Sequence, residues 1–200
     1  MTIPSAHCKA VAKHSLSVFG GDLKIQAYYD SSKSISVDLL TTVDTLHLGV
    51  KSIGTIGLSE TPLFTDEGEE FATRVELCAG ALSEELFWEN AVASVAFDIK
   101  KRQRYVMPGD VIVGVFNEYL KNPKMPHIYL TIPFMWNGAC FPELKFASLK
   151  VNWLQCIAIH EEERVFIEKF GGDAFDDLLS DQEINTLDRN RLPVDLSSFS

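Results

Sequence analysis

Four cysteines, none in a C-x-x-C pair, are too few and too scattered for a disulfide framework or a zinc site. Cys8, Cys78, Cys140 and Cys156 each lie in or beside an apolar stretch, the setting of a reduced, buried thiol. Phosphate loops and dinucleotide fingerprints are missing, as is any basic stripe interleaved with aromatics. No apolar run approaches the ~18 residues of a membrane span. The opening MTIPSAHCKAVAKH has no apolar h-region behind its charges, so no secretion signal is read and the cytoplasm is the expected compartment. The histidines do not cluster. His7 and His14 stand two helical turns apart, roughly 10 Å, and Cys156 and His160 are separated by roughly 13 Å if the segment is a strand. His160-Glu-Glu-Glu163 has the first half of a zinc-protease helix, but Arg164 occupies the place of the second histidine. Neither a metal nor a cofactor is expected.

What remains is the composition of an ordinary folded protein, 46% hydrophobic and 23% charged over 200 residues. A chain of that length buries roughly 70% of its unfolded surface, enough for a core without staples. Residues 1–200 read as a single domain, with RLPVDLSSFS a loosely held tail from about 190. The net charge of −10 is unevenly spread. Residues 59–89 carry nine acids and one arginine, net −8, and residues 161–200 carry eleven acids and four bases, net −7. Such a surface repels nucleic acid and anionic lipid and favours a basic partner.

The hydrophobic pattern predicts a first helix over 6–19, stopped by Gly20 and Gly21, and then a hairpin of LKIQAYY and ISVDLLTTV joined by DSSKS. Residues 50–56 extend the sheet, 59–70 form an acidic loop, and 71–79 alternate as a strand with Arg74 and Glu76 on its polar side. Ser83 is read as the cap of a long helix reaching Arg102, with acids at its start and bases at its end. DVIVGVF and HIYLTIPF are strand-like, VNWLQCIAI is apolar on both faces like a central strand, and a short helix runs from Glu161 to Phe170 with His160 in the capping place. Residues 173–180 add another helical turn or two. This order predicts an α+β fold with a mixed, mainly antiparallel β-sheet flanked by helices.

The most specific segment is SIGTIGLSETPL at 52–63. Gly54 and Gly57 weaken a strand, so the backbone there needs a bulge, a positive φ or a close approach, and Pro62 is read as ending the pairing. Thr55, Gly57, Leu58, Ser59, Pro62 and Leu63 stand in the order of a known pattern: Thr, any residue, Gly, Met or Leu, Ser, and later Pro before Met or Leu. The chain thereby resembles the suppressor-of-fused (SUFU) domain family, and within it the bacterial branch of immunity proteins; WLQCIAIHEEERVFIEKFGGDAFDDLL extends the likeness.

The resemblance implies an α+β domain that binds other proteins and has no established enzymatic chemistry. The animal member clamps a transcription-factor peptide partly by strand addition, using a second domain for which this chain is too short. Bacterial relatives block the toxic C-terminal domain of a secreted polymorphic toxin, commonly a nuclease. The expected partner is therefore a basic toxin domain encoded nearby, with no role for nucleic acid or membrane. Charge nominates Glu60, Asp66, Glu67, Glu69, Glu70, Asp173, Asp176 and Asp177 for the interface. Trp136, in PFMWNGACF, is either a partner anchor or a core residue. Two rival functions stand beside this one. The first is a scaffold or regulatory module that binds an extended peptide along a sheet edge. The second is a hydrolase whose pocket holds Ser59 or a carboxylate of strongly shifted pKa, although GLSET keeps only the first Gly and the Ser of a nucleophile elbow.

Overall fold

The computed structural model describes residues 4–136 and 141–199. The chain opens with helix α1 (Ala6–Phe19), whose N-cap Ser5 accepts the Cys8 N–H at 3.0 Å and whose end is turned by Gly20 at φ 72°. Four strands follow: β1 (Lys24–Tyr29), β2 (Ser36–Val43), β3 (Val50–Ile56) and β4 (Arg74–Leu82). Helix α2 (Trp88–Arg102) then leads to β5 (Val111–Ile112), β6 (His127–Thr131), β7 (Leu144–Lys145) and β8 (Lys150–Ile159). Helices α3 (Glu161–Phe170) and α4 (Gly172–Asp181) complete the set.

The eight strands make one sheet in the order β1-β2-β3-β4-β8-β6-β5, with β7 also paired to β8. Neighbours run antiparallel except β4 and β8, which are parallel. The predicted α+β class with a mainly antiparallel sheet is what the chain adopts. Side chains of β8 alternate between two covers, as period-two geometry requires. Leu154, Cys156 and Ala158 join α2 in one core, while Val151 and Trp153 meet α1, and Ile157 and Ile159 meet α3 and α4, on the opposite face. Both faces of β3, β4, β6 and β8 are thus roofed, which explains their nearly continuous apolar sequence. Truncating a fully buried residue such as Leu77 to alanine costs about 2–5 kcal/mol.

Several boundaries differ from expectation. Strand β4 runs on to Leu82, and the Ser83 N–H bonds the Gly49 carbonyl at 2.8 Å, so Ser83 closes a strand and Phe87 holds the N-cap of α2. Glu84 and Glu85 precede that helix, and Glu89 is the acid in its first turn. Gly114, at φ 76°, turns DVIVGVF after two paired residues into the 3₁₀ turn Val115–Glu118. The tail is anchored. Arg191 donates to Glu163, and the Val194 side chain is buried with its N–H 3.0 Å from Glu163 Oε1. Cys78 and Cys156 are buried and Cys8 is half-buried, while Cys140 lies outside the described residues.

Candidate functional site

The TIGLS segment is organised around an acid that sequence alternation assigned to the solvent. Glu76 on β4 is 0% exposed. The β3–β4 ladder stops at Gly54 opposite Cys78, and the Thr55 hydroxyl takes over by accepting the Leu77 N–H at 2.7 Å. The Glu76 carboxylate fills the gap beyond. It accepts the Thr55 hydroxyl at 2.5 Å, the Gly57 N–H at 3.0 Å, and both the N–H and the hydroxyl of Ser59, at 3.1 and 2.6 Å. Burial pushes its pKa above the ordinary carboxylate value, and the bonds from Ser59, Thr55 and Gly57 pull it back down. No cation among the described residues takes part; hydroxyl and amide dipoles do what water would do outside.

The two motif glycines have separate reasons. Gly57 has φ +90°, a left-handed turn that lets its own N–H and that of Ser59 converge on one carboxylate oxygen. At Gly54 a Cβ would lie 3.0 Å from the Phe19 ring, so the missing side chain makes room for α1. Pairing ends at Gly54 toward β4 and at Ile56 toward β2, and not at Pro62. Ser59 is 0% exposed, its hydroxyl committed to Glu76 and placed 2.7 Å from His7 Nε2. An enclosed serine cannot meet a substrate, so the hydrolase expectation loses Ser59 as its nucleophile.

This buried knot carries the acidic loop. Glu60 accepts the Ser5 hydroxyl at 2.6 Å, linking the loop to the start of α1. Arg74 bonds the Ser59 carbonyl at 3.3 Å and pairs with Glu70, while Arg104 pairs with Asp66 at 3.4 Å. Glu67 and Glu69 are exposed and their carboxylates take no partner among the described residues. The loop therefore shows solvent two free carboxylates and three engaged ones on fixed ends.

The second acidic set is on α4. Asp173 and Asp177 are exposed, but Asp176 is half-buried and accepts the Thr131 hydroxyl at 3.2 Å; burial raises its pKa. Asp176 lines a groove of about 420 Å³ beside Ile132, Phe134, Leu179 and Ile184. No hydrogen bond or ion pair among the described residues joins this set to the loop of Glu60–Glu70. Trp136, nominated as an anchor, is 2% exposed and donates to Ser52 Oγ at 2.9 Å, against Phe19 and Phe141. It belongs to the core and is withdrawn from the interface.

Sequence reasoning missed two buried acids. One is Glu76; the other is Glu163, which takes both guanidinium nitrogens of Arg191, at 2.5 and 2.8 Å, and the His160 N–H at 2.8 Å. His160 holds the N-cap of α3, as expected. A signal existed for Glu163, the third residue after a helix-start position. For Glu76 the signal was the cluster of hydroxyls and glycines in TIGLS, which needs an acceptor.

Comparison with known proteins gives consistent results. A family model described as "Suppressor of fused protein (SUFU)" matches residues 33–192. Immunity protein YqcF of Bacillus subtilis (strain 168) is 31% identical over 186 residues, covering 93% of this chain and 96% of that one. A putative SUFU homolog from Neisseria gonorrhoeae FA 1090 superposes with a TM-score of 0.68 at 12% identity, covering 94% of this chain and 96% of that one. A structure of a Sufu-Fu complex gives 0.66 at 13% identity, over 96% and 93%.

Proposed function

The chain belongs to the suppressor of fused family, and from that premise we propose that it is a cytoplasmic immunity protein that neutralises a cognate toxin domain by binding it directly. The observation that supports this most is the 31% identity to an immunity protein, which runs along nearly the whole of both chains. The geometry adds a surface suited to the task. A toxin that acts on nucleic acid is basic where it meets phosphate, and carboxylates on a rigid loop offer it a competing anion. The free carboxylates of Glu67 and Glu69, on a loop tied down through Glu60, Asp66 and Glu70, are the proposed point of encounter. Steering of this kind speeds association by roughly 10- to 1,000-fold, an advantage that salt removes. Non-catalytic capture needs no nucleophile, and Ser59 is enclosed.

The experiment is co-expression. Induction of this chain should rescue cells that produce the toxic domain encoded beside its gene, and the two purified chains should form a complex in calorimetry. Rescue without a complex, or neither, contradicts the proposal.

A further inference from the structure

The two edges of the sheet are unlike. β5 pairs through only Val111 and Ile112, whereas β1 spans Lys24–Tyr29, pairs with β2 on one side, and has no strand among the described residues on the other. The Asp30 N–H donates to the Ile35 carbonyl at 3.0 Å, so backbone groups at Asp30, and by alternation at Tyr28, Gln26 and Lys24, point toward β2. Ile25, Ala27 and Tyr29 turn their N–H and C=O groups outward. The side chains of Leu23, Ile25 and Tyr29 share the sheet face on which α1 packs over Leu40 and Ile56, but α1 stops short of β1. Leu23 is 45%, Ile25 47% and Tyr29 60% exposed, while Leu40, opposite Ile25, is 0% exposed. An apolar edge strand with unpaired backbone is a template for another strand, and proteins usually blunt it.

We propose that this edge joins two copies of the chain by antiparallel β1–β1 pairing about a two-fold axis at Ala27. Charge selects the occupant and the register. Pairing centred on Ala27 sets Lys24 of each copy opposite Asp30 of the other. The same register sets Ile25 opposite Tyr29, a β-branched and aromatic pair of the kind that stabilises adjacent strands. It also matches the backbone, because Ile25, Ala27 and Tyr29 are the residues with free outward groups and become the hydrogen-bonded pairs. Moving the axis to Gln26 sets Asp22 against Asp30 and Lys24 against Tyr28, exchanging attraction for repulsion. Complementarity of a strand with itself is what a two-fold interface demands. The interface uses neither the acidic loop nor α4, so it stands independently of the proposed toxin capture.

Light scattering on the full chain over a concentration series should find a species of twice the 22.3 kDa chain mass that dissociates on dilution. Ala27→Cys should give a covalent dimer on mild oxidation that the unsubstituted chain does not give, since the paired Cα atoms would lie about 5.5 Å apart, within disulfide reach. Ile25→Lys and Ala27→Pro should each raise the dissociation constant at least about tenfold with an unchanged thermal midpoint; the proline removes only an outward N–H. A chain that stays monomeric at near-millimolar concentration overturns the proposal. So does a dimer that neither substitution weakens and that Ala27→Cys fails to cross-link. A monomer whose Ala27→Pro variant loses toxin binding would assign the edge to the toxin instead, and would overturn it too.

Discussion

Glu76 and Glu67 stand nine residues apart and have opposite roles. Glu76 is sealed beneath the TIGLS turn with both carboxylate oxygens bonded to the protein's own hydroxyls and amides, while Glu67 stands in water on the loop that this turn anchors. Glu163, on α3 and hidden under Arg191, repeats the first role elsewhere on the same face of the sheet. The difference teaches that net charge is a poor guide to an interface until the acids that hold the fold are set aside. A buried carboxylate is costly to desolvate and is kept where it satisfies several donors at once; an exposed one contributes little to stability and is available to a partner.

The comparison breaks most visibly at Glu76. Glu76→Ala would remove the buried acceptor of the Thr55 and Ser59 hydroxyls and of two backbone amides, and should cost on the order of 4 kcal/mol, read as a lowered urea midpoint. Arg191→Ala removes the cation that pairs with the buried Glu163 and should cost about 3 kcal/mol, with the tail from Arg191 to Val194 becoming protease-sensitive. The exposed acids should behave in the opposite way. Glu67→Gln with Glu69→Gln should change stability by less than about 0.5 kcal/mol, and the same pair should slow association with the toxin several-fold at low salt. Glu161 tests acid sensitivity. Its bonds to Arg164 and His127 hold its pKa down to about 2, below the ordinary 4.5, so its contribution is present above that ordinary value and is lost as pH falls toward 2. Glu161→Gln should therefore flatten the acid limb of the stability curve in that window, an effect small because the side chain is exposed.

Much of the fold was legible. Periodicity and glycine stops placed α1, β3, β8 and α3 close to their true bounds, and the glycines of 52–63 marked a place where the backbone turns left-handed at Gly57 and a helix presses close at Gly54. The rest depended on contacts distant in sequence. Arg74 and Glu76 alternate with Val75 and Leu77 as a solvent-facing edge would, and only the arrival of α1 and the TIGLS turn encloses Glu76. Ser83 looked like a helix cap because nothing local says that its N–H is taken by Gly49. The tail looked loose because its hold, the Arg191 pair with Glu163, spans 28 residues. Of the site, the loop acids were found by charge alone, and Trp136 was resolved toward the core only by its bond to Ser52.

The central claim is that free surface carboxylates on the anchored loop meet a basic toxin while the buried ones hold the fold. Stopped-flow association of the purified pair, as a function of ionic strength, tests it most directly. The unsubstituted chain should associate fast, with a rate falling steeply as salt rises, and Glu67→Gln with Glu69→Gln should lower that rate and flatten the dependence. An association rate indifferent to both salt and the two substitutions would contradict it.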